Sequence, residues 1–299
     1  MDSVKDFGRS DSMTFAASTA FYTIFSLPAF LIIVMNIAAA FYSENTVREE
    51  LLVQASELIG EDSAKTLDDI MRNVSIDARA TIAKVIGIGV LIFSATTVFV
   101  SLQNSINHIW HIKPKPEKGL IKFGINRLLS FSMVASIGFL LLVSLLADAF
   151  IMIMLNYFSD LFEGNTLYFA SVINFFFTQA LLVLIFGLMY KILPDAKVKW
   201  KDVWLGAFVT MVLFALGKYL IGIYMGNADV GTYYGTAGSL VIVLVWVYYS
   251  VVIFLFGAQV TYFIAEKVGG SVIPLKQAVK VEVVEVEMEE DGRKKETRI

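Results

Sequence analysis

The hydrophobic positions of this chain fall into six long, almost uninterrupted apolar runs. They cover residues 15–42, 85–107, 128–155, 168–190, 203–224 and 237–265. Each run is at least as long as the roughly 20 apolar residues that an α-helix needs to cross a bilayer. The runs lack the alternation of polar and apolar positions that marks the strands of a membrane β-barrel. The pattern therefore predicts an all-α integral membrane protein, a bundle of six transmembrane helices.

Composition supports a membrane environment. Of the 299 residues, 57% are hydrophobic and only 17% are charged, whereas a soluble domain typically has about 25% charged residues. The chain has no cysteine, which excludes disulfides, thiolate catalysis and cysteine metal sites.

Lysine and arginine in the loops predict how the helices are oriented. Among the short loops between the runs, the basic residues follow the second and fourth runs: Lys113, Lys115, Lys118, Lys122 and Arg127, then Lys191, Lys197, Lys199 and Lys201. The long segment 43–84 also carries some lysine and arginine but more aspartate and glutamate, and long segments translocate largely regardless of charge. The loops at 156–167 and 225–236 contain neither lysine nor arginine. Because basic loops stay in the cytoplasm, we predict a multi-pass protein of the bacterial inner membrane with both termini cytoplasmic. Residues 1–267 form the predicted membrane domain, and the charged tail 268–299 is predicted to be disordered.

The long segment 43–84 is predicted to be external and amphipathic. Leu51, Leu52, Ala55, Leu58 and Ile59 recur at helical spacing, as do Leu67, Ile70, Met71 and Val74. Helical apolar spacing usually means packing, so this segment is interpreted as a lid on the outer ends of the bundle. The alternative is a gate or a docking element for a partner.

Two charged residues, Asp148 and Lys218, lie inside predicted spans. Charges within a membrane are costly and usually pair or face a cavity. We hypothesise an outward-facing polar site formed by Lys218 and Asp148, with Gly217, Gly222 and Tyr224 beside the lysine. The alternative is that Asp148 caps its helix and Lys218 extends its amine to the interface.

Several ordered motifs resemble the YihY/BrkB-like family of bacterial inner-membrane proteins. The residues that carry the resemblance are Tyr22, Ser26 and Pro28 in the first run, Asn107 and Trp110 at the end of the second, Pro194, Asp195 and Trp200 around the fourth loop, and Gly235, Gly238, Trp246, Tyr249 and Gly257 around the last run. The matching part covers about residues 10–267, and Lys218 lies within it. The resemblance implies a six-helix fold and a role in transport without a settled substrate. Some family members carry the label ribonuclease BN.

The favoured function is transport or export of a lipid or small solute, and the alternative is a non-transporting envelope-assembly or scaffold protein. A membrane ribonuclease is disfavoured, because phosphodiester hydrolysis usually needs clustered carboxylates or histidines that hold a metal. His108 and His111 lie three residues apart, yet no acidic ligand is close to them in sequence. We therefore expect no enzymatic activity, cofactor, metal or nucleic-acid partner, and the lipid bilayer as the main environment. The oligomeric state is left open.

Overall fold

A computed structural model describes residues 7, 11–38, 43–59, 61–73, 81–115, 124, 128, 132, 136, 166–227, 238–267, 269–282, 284–288 and 294–298. The helices in these residues are α1 (Ser12–Ala38), α2 (Glu44–Ile59), α3 (Glu61–Asn73), α4 (Thr81–Ile109), α5 (Thr166–Ile192), α6 (Trp200–Asn227) and α7 (Gly238–Lys267). The strands are β1 (Ile112–Pro114), β2 (Ala196–Lys197), β3 (Ile273–Pro274), β4 (Ala278–Lys280), β5 (Val284–Met288) and β6 (Lys294–Arg298).

Three of these helices contain stretches that are long and apolar enough to cross a membrane, among the residues that the structure describes. The stretches are Val172–Ile192 in α5, Trp200–Leu220 in α6 and Leu240–Lys267 in α7. They correspond to the fourth, fifth and sixth predicted spans. The first predicted span overlaps α1, and the second lies within α4. The third, 128–155, lies outside the described residues except at Leu128, Ser132 and Ser136, which are helical.

The long helices pack side by side. Helix α1 packs on α4 and α7, and α6 lies between α5 and α7. A hydrogen bond between the hydroxyl groups of Thr19 and Ser101 (2.7 Å) joins α1 to α4. Polar side chains in membrane helices commonly make such interhelical bonds.

The helix ends at one face of the bundle follow local backbone chemistry. After α4, His111 adopts a left-handed conformation with φ 54°, which stops a helix. After α5, Pro194 follows two residues beyond the last helical residue, in keeping with the inability of proline to continue a helix. We call this face, where α4, α5 and α7 end and α6 begins, the Trp110 end.

Helices α2 and α3, which we call the helical hairpin, cover the opposite face of the bundle. Val47, Leu67 and Met71 from the hairpin are buried in one cluster with Val243 and Trp246 of α7. Leu51, Leu52 and Ala55 pack against the same cluster. Of the nine residues singled out in segment 43–84, Leu51, Leu52, Ala55, Leu67 and Met71 pack in or against this cluster, and the side chains of the other four lie outside the described residues. The external position of the segment stays a prediction. We call this face the hairpin end.

The prediction of a disordered tail from residue 268 is wrong for residues 269–282. Strand β3 pairs with β2, and β4 pairs with β1, both antiparallel. Backbone bonds from Leu275 N to Asp195 O and from Val281 N to His111 O, 2.9 and 2.8 Å long, extend the attachment. Both loops offer short strands that accept the tail as a partner, so its backbone groups pair with protein rather than with water. Beyond them, β5 pairs with β6.

Candidate functional sites at the two ends of the bundle

Asn107 and Asp195 form a reciprocal, buried hydrogen-bonded pair at the Trp110 end. Asn107 Nδ2 donates to Asp195 Oδ2, and Asp195 N donates to Asn107 Oδ1, both over 2.8 Å. The side chains are 4% and 2% exposed. The pair joins the last turn of α4 to the turn between α5 and β2. A buried carboxylate is tolerated only when hydrogen bonds replace its water, and Asn107 supplies one of them.

Trp110 joins α4 to α7. Its ring is fully buried, and its Nε1 donates to the carbonyl of Ala258 over 2.9 Å. The same ring stacks on Tyr262, with centroids 6.5 Å apart. A buried tryptophan needs an acceptor for its N–H, and the helix backbone of α7 provides it.

Tyr190 and Thr210 form a third buried polar contact, between α5, α6 and α7. Tyr190 Oη lies 2.7 Å from Thr210 Oγ1 and donates to the carbonyl of Phe254 over 2.7 Å. Gly257 lies against both hydroxyl groups, so that a Cβ there would overlap Thr210 Oγ1 and Tyr190 Oη. Gly206 similarly leaves room for Thr261 Oγ1. Small residues and hydroxyl groups thus let α6 and α7 approach closely, as in other membrane helix pairs.

These contacts give structural roles to several residues that carry the family resemblance. Asn107, Trp110, Pro194, Asp195 and Gly257 all contribute to the buried packing at the Trp110 end. In α1, Ser26 is buried and its Oγ donates to the carbonyl of Tyr22 over 2.9 Å, and Pro28 lies two residues further along that helix. Gly238 is the first residue of α7, and Gly235 lies outside the described residues.

Lys218 lies near the hairpin end of α6 and is partly buried. Beside it, Gly217 is covered by the ring of Tyr249, so closely that a Cβ on Gly217 would overlap that ring. Phe214, one turn earlier on the same face as Lys218, packs against Trp246 with ring centroids 5.5 Å apart. Lys218 therefore lies one helical turn from the cluster that holds the helical hairpin.

The proposed partners of Lys218 are only partly covered by the structure. Gly222 and Tyr224 continue α6, and Asp148 lies outside the described residues. A pairing of Asp148 with Lys218 therefore stays a prediction.

The helical hairpin is held together by an ionic contact centred on Asp68. Arg48 Nε lies 2.6 Å from Asp68 Oδ1, and Arg72 Nε lies 2.8 Å from Asp68 Oδ2. Partial burial opposes ionisation, but the hydrogen bonds from Arg72 and Arg48 outweigh it and hold the pKa of Asp68 below its usual range. The carboxylate thus joins α3 to α2.

A second ion pair anchors the tail at the Trp110 end. Glu266 Oε1 accepts from Lys280 Nζ over 2.6 Å and from the backbone N–H of Val272 over 2.9 Å. Desolvation opposes the charged form, yet the hydrogen bond to Glu266 raises the pKa of the Lys280 amine above its ordinary value.

The two histidines have different ring partners. His108 lies 4.8 Å from the ring of Phe15, and His111 lies 5.8 Å from the ring of Tyr262. Among the described residues, no group of three or more His, Asp and Glu side chains is placed to hold a metal ion.

The sequence pattern missed Thr210, Gly206, Thr261 and Ala258 as parts of the helix contacts. A signal was present for three of them. Gly206 and Thr210 are four residues apart on α6, as are Gly257 and Thr261 on α7, and small or hydroxyl residues at that spacing favour close helix packing. The role of Ala258 lies in its carbonyl, which no side-chain pattern can reveal.

Comparison with known proteins places these features in a family. The chain is 28% identical to a UPF0761 membrane protein of Photobacterium profundum, over 87% of this chain and 78% of the relative. A UPF0761 membrane protein of Haemophilus influenzae is also 28% identical, over 85% of this chain and 90% of the relative. A UPF0761 membrane protein of Delftia acidovorans is 26% identical over 83% of this chain. That relative is longer, and the match covers only 58% of its length. No solved structure matches the chain significantly.

The match to a family profile extends further than the motifs suggested. The profile described as Virulence factor BrkB matches residues 3–280. Its last matched residue is the last residue of β4, so the strands that attach the tail belong to the family's common part. The resemblance on which the sequence analysis relied is confirmed, and the chain belongs to the Virulence factor BrkB family of membrane proteins.

Proposed function

We propose that this chain is a six-span transporter of the bacterial inner membrane that moves a lipid or a small solute. In this proposal the Trp110 end and the tail face the cytoplasm. The basic residues Lys113, Lys197 and Lys276 lie at that end, and cytoplasmic loops are enriched in lysine. The helical hairpin then covers the outer face, and the proposed role is transport rather than catalysis.

The observation that carries the proposal is the position of Lys218. It is a partly buried cation in the apolar stretch Trp200–Leu220, one turn from Phe214 and the cluster under the hairpin. Lys218 lies two residues before the end of that stretch, and an ionisable residue within a membrane helix is by default a functional candidate. A lysine there suits a substrate with an anionic group, such as a phospholipid headgroup.

One observation favours the alternative, a non-transporting envelope-assembly or scaffold protein. The contact of Tyr249 with Gly217 fills the space on one side of Lys218. Close packing beside the lysine suits a rigid scaffold that uses the helical hairpin to bind other envelope components.

The deciding experiment is transport by the purified protein in liposomes, measured both as movement of a labelled phospholipid between leaflets and as uptake of small anions. The expected result is protein-dependent movement that Lys218→Ala abolishes and Lys218→Arg retains in part. Tyr219→Leu is the matched control, since Tyr219 is the next residue and is exposed on the same helix. Wild-type protein that is inactive in both assays would favour the scaffold.

A second experiment asks whether the hairpin moves. The chain has no cysteine, so Leu67→Cys with Val243→Cys introduces one pair between two residues of the same buried cluster. If the hairpin is a gate, oxidation stops transport and reduction restores it. Unchanged transport in the oxidised form would mean that the hairpin is a static lid.

A further inference from the structure

The first half of α6 presents a continuous exposed apolar stripe that begins at a lysine. Trp204, Leu205, Phe208 and Val212 are all exposed, and Lys201, which is also exposed, precedes them. These positions follow Lys201 by three, four, seven and eleven residues, the spacing of one helix face. Because α6 contains a membrane-span candidate, this face is available to lipid chains.

A pair of exposed indole rings lies at the start of the stripe. Trp200 and Trp204 stack with centroids 5.6 Å apart and planes 27° apart. Lys191 Nζ lies 5.6 Å from the centroid of the Trp200 ring and donates to the carbonyl of Val198. Trp204 lies against α5 beside Gly187, where its ring would be in ordinary van der Waals contact with a Cβ. Tryptophan is enriched where headgroups meet hydrocarbon, so these rings mark the headgroup level.

The charge at this level is strongly positive. Lys197, Lys199 and Lys201 are exposed within four residues of Trp200, and Lys191 is partly buried beside it. The opposing carboxylate, Asp202, is buried against Gly269, away from the exposed stripe. The lysines therefore outnumber the carboxylate and complement an anion.

We propose that a phospholipid with an anionic headgroup binds here, with its phosphate between Lys191 and Lys201 and one acyl chain along Trp204, Leu205 and Phe208. A zwitterionic headgroup carries its own cation, which the lysines repel, so the site selects phosphatidylglycerol over phosphatidylcholine. This binding does not depend on transport, because the site lies at the Trp110 end and Lys218 at the other. It is a stable lipid contact rather than a substrate path.

Tryptophan fluorescence with brominated lipid tests the proposal. Trp110 and Trp246 are buried, whereas Trp200 and Trp204 are exposed, so bromine on phosphatidylcholine chains quenches mainly the exposed pair. Unbrominated phosphatidylglycerol or phosphatidylcholine is then added to displace the quencher. We expect phosphatidylglycerol to restore emission at a roughly five-fold lower mole fraction, the factor equivalent to the ~1 kcal/mol that one lysine contributes near an anionic surface.

Variants distinguish lipid binding at this site from a general attraction of anionic lipid to the basic end of the bundle. Lys191→Gln with Lys201→Gln makes the mole fractions of phosphatidylglycerol and phosphatidylcholine that restore emission nearly equal, so that their ratio is close to one. Lys201→Gln alone lowers it in part, and because Lys201 is exposed this variant keeps the contact between Lys191 and Val198 intact. The charge-matched control is Lys113→Gln with Lys115→Gln, two exposed lysines at the same end, which leaves the ratio unchanged.

Three results would overturn the proposal: equal displacement by both lipids in the wild type, an equal loss of preference in the control pair, or quenching that persists unchanged in Trp200→Phe with Trp204→Phe.

Discussion

Replacing Asn107 with alanine tests whether the Trp110 end is held together by its buried polar contacts. The substitution removes the donor to Asp195 Oδ2 and the acceptor of the Asp195 backbone N–H, each 2.8 Å away. Asp195 is buried, and the smaller side chain cannot reach either of these groups. The last turn of α4 thus loses its polar attachment to the loop between α5 and α6.

The magnitude follows from the two bonds. A hydrogen bond to a charged group contributes roughly 1.5–3 kcal/mol and a neutral one roughly 0.5–1.5 kcal/mol, so the free energy of unfolding should fall by roughly 2–4.5 kcal/mol. At about 2–4 °C for each kcal/mol, the melting temperature should fall by roughly 4–18 °C. Asp195→Asn keeps the shape and loses only the charge, and should cost about 1 kcal/mol.

The assay is thermal unfolding of the purified protein in detergent, followed by intrinsic tryptophan fluorescence, to which Trp110, three residues from the substitution, contributes. Asn104→Ala is the matched control, because Asn104 is one turn earlier on α4 and exposed. It should change the melting temperature by less than about 2 °C, as surface substitutions usually do. If Asn107→Ala melts within that margin too, or if both asparagines cost the same, the pair does not hold the two loops together.

Three further predictions follow from named contacts. Gly257→Ala should destabilise the protein by roughly 1–3 kcal/mol through overpacking, whereas Gly89→Ala, with nothing within 4 Å of its Cβ position, should be neutral or stabilising by thermal melting. The lowered pKa of Asp68 means that its ionised form favours the folded hairpin. This contribution is present above the unfolded pKa and is lost as pH falls through the folded one. The protection of amides in α2 and α3, taken relative to the intrinsic exchange rate at each pH, should therefore fall in acid, and Asp68→Asn should remove that loss of protection. Lys280→Gln should release β4 from the bundle and speed hydrogen exchange at the amides of Lys115 and Val281. If these two amides stay protected, the ion pair of Lys280 with Glu266 does not hold β4 in place.

The apolar helices were predictable because membrane spanning needs little more than length and hydrophobicity. Residues 168–190, 203–224 and 237–265 fall on α5, α6 and α7, since a continuous apolar run in lipid has no better option than a helix. The hairpin's inward faces were predictable for a related reason. The period of Leu51, Leu52 and Ala55 is the period of a helix that buries one side.

The tail strands were not predictable in the same way, because each depends on a partner far away in sequence. The alternation near Val279 was visible, yet β4 forms because Ile112–Pro114 is already extended and close in space. Ile112 and Pro114 flank Lys113, and Ala196 precedes Lys197, so each short segment alternates an apolar residue with a lysine. Such short alternating segments can pair, but nothing in their order shows which one meets which. The asparagine and aspartate of the buried pair are 88 residues apart, and no local pattern reveals their meeting.

Within the transport proposal, the position of Lys218 along α6 bears on which substrate it would bind. Trp200 and Tyr219 are both exposed on α6 and lie nineteen residues apart, about 28 Å along a helix. This nearly equals the roughly 30 Å of the hydrocarbon core, and aromatic residues mark both interfaces. Within the transport proposal, this spacing puts Lys218, next to Tyr219, near the headgroups under the helical hairpin rather than at the bilayer centre. The phosphate of a lipid stays at that level, where a lysine can bind it, so within the transport proposal we favour a lipid over a water-soluble anion. Wild-type protein that moves labelled phospholipid, loses this movement in Lys218→Ala and takes up no soluble anion would bear this out. Uptake of a soluble anion that depends on Lys218, without movement of phospholipid, would refute it.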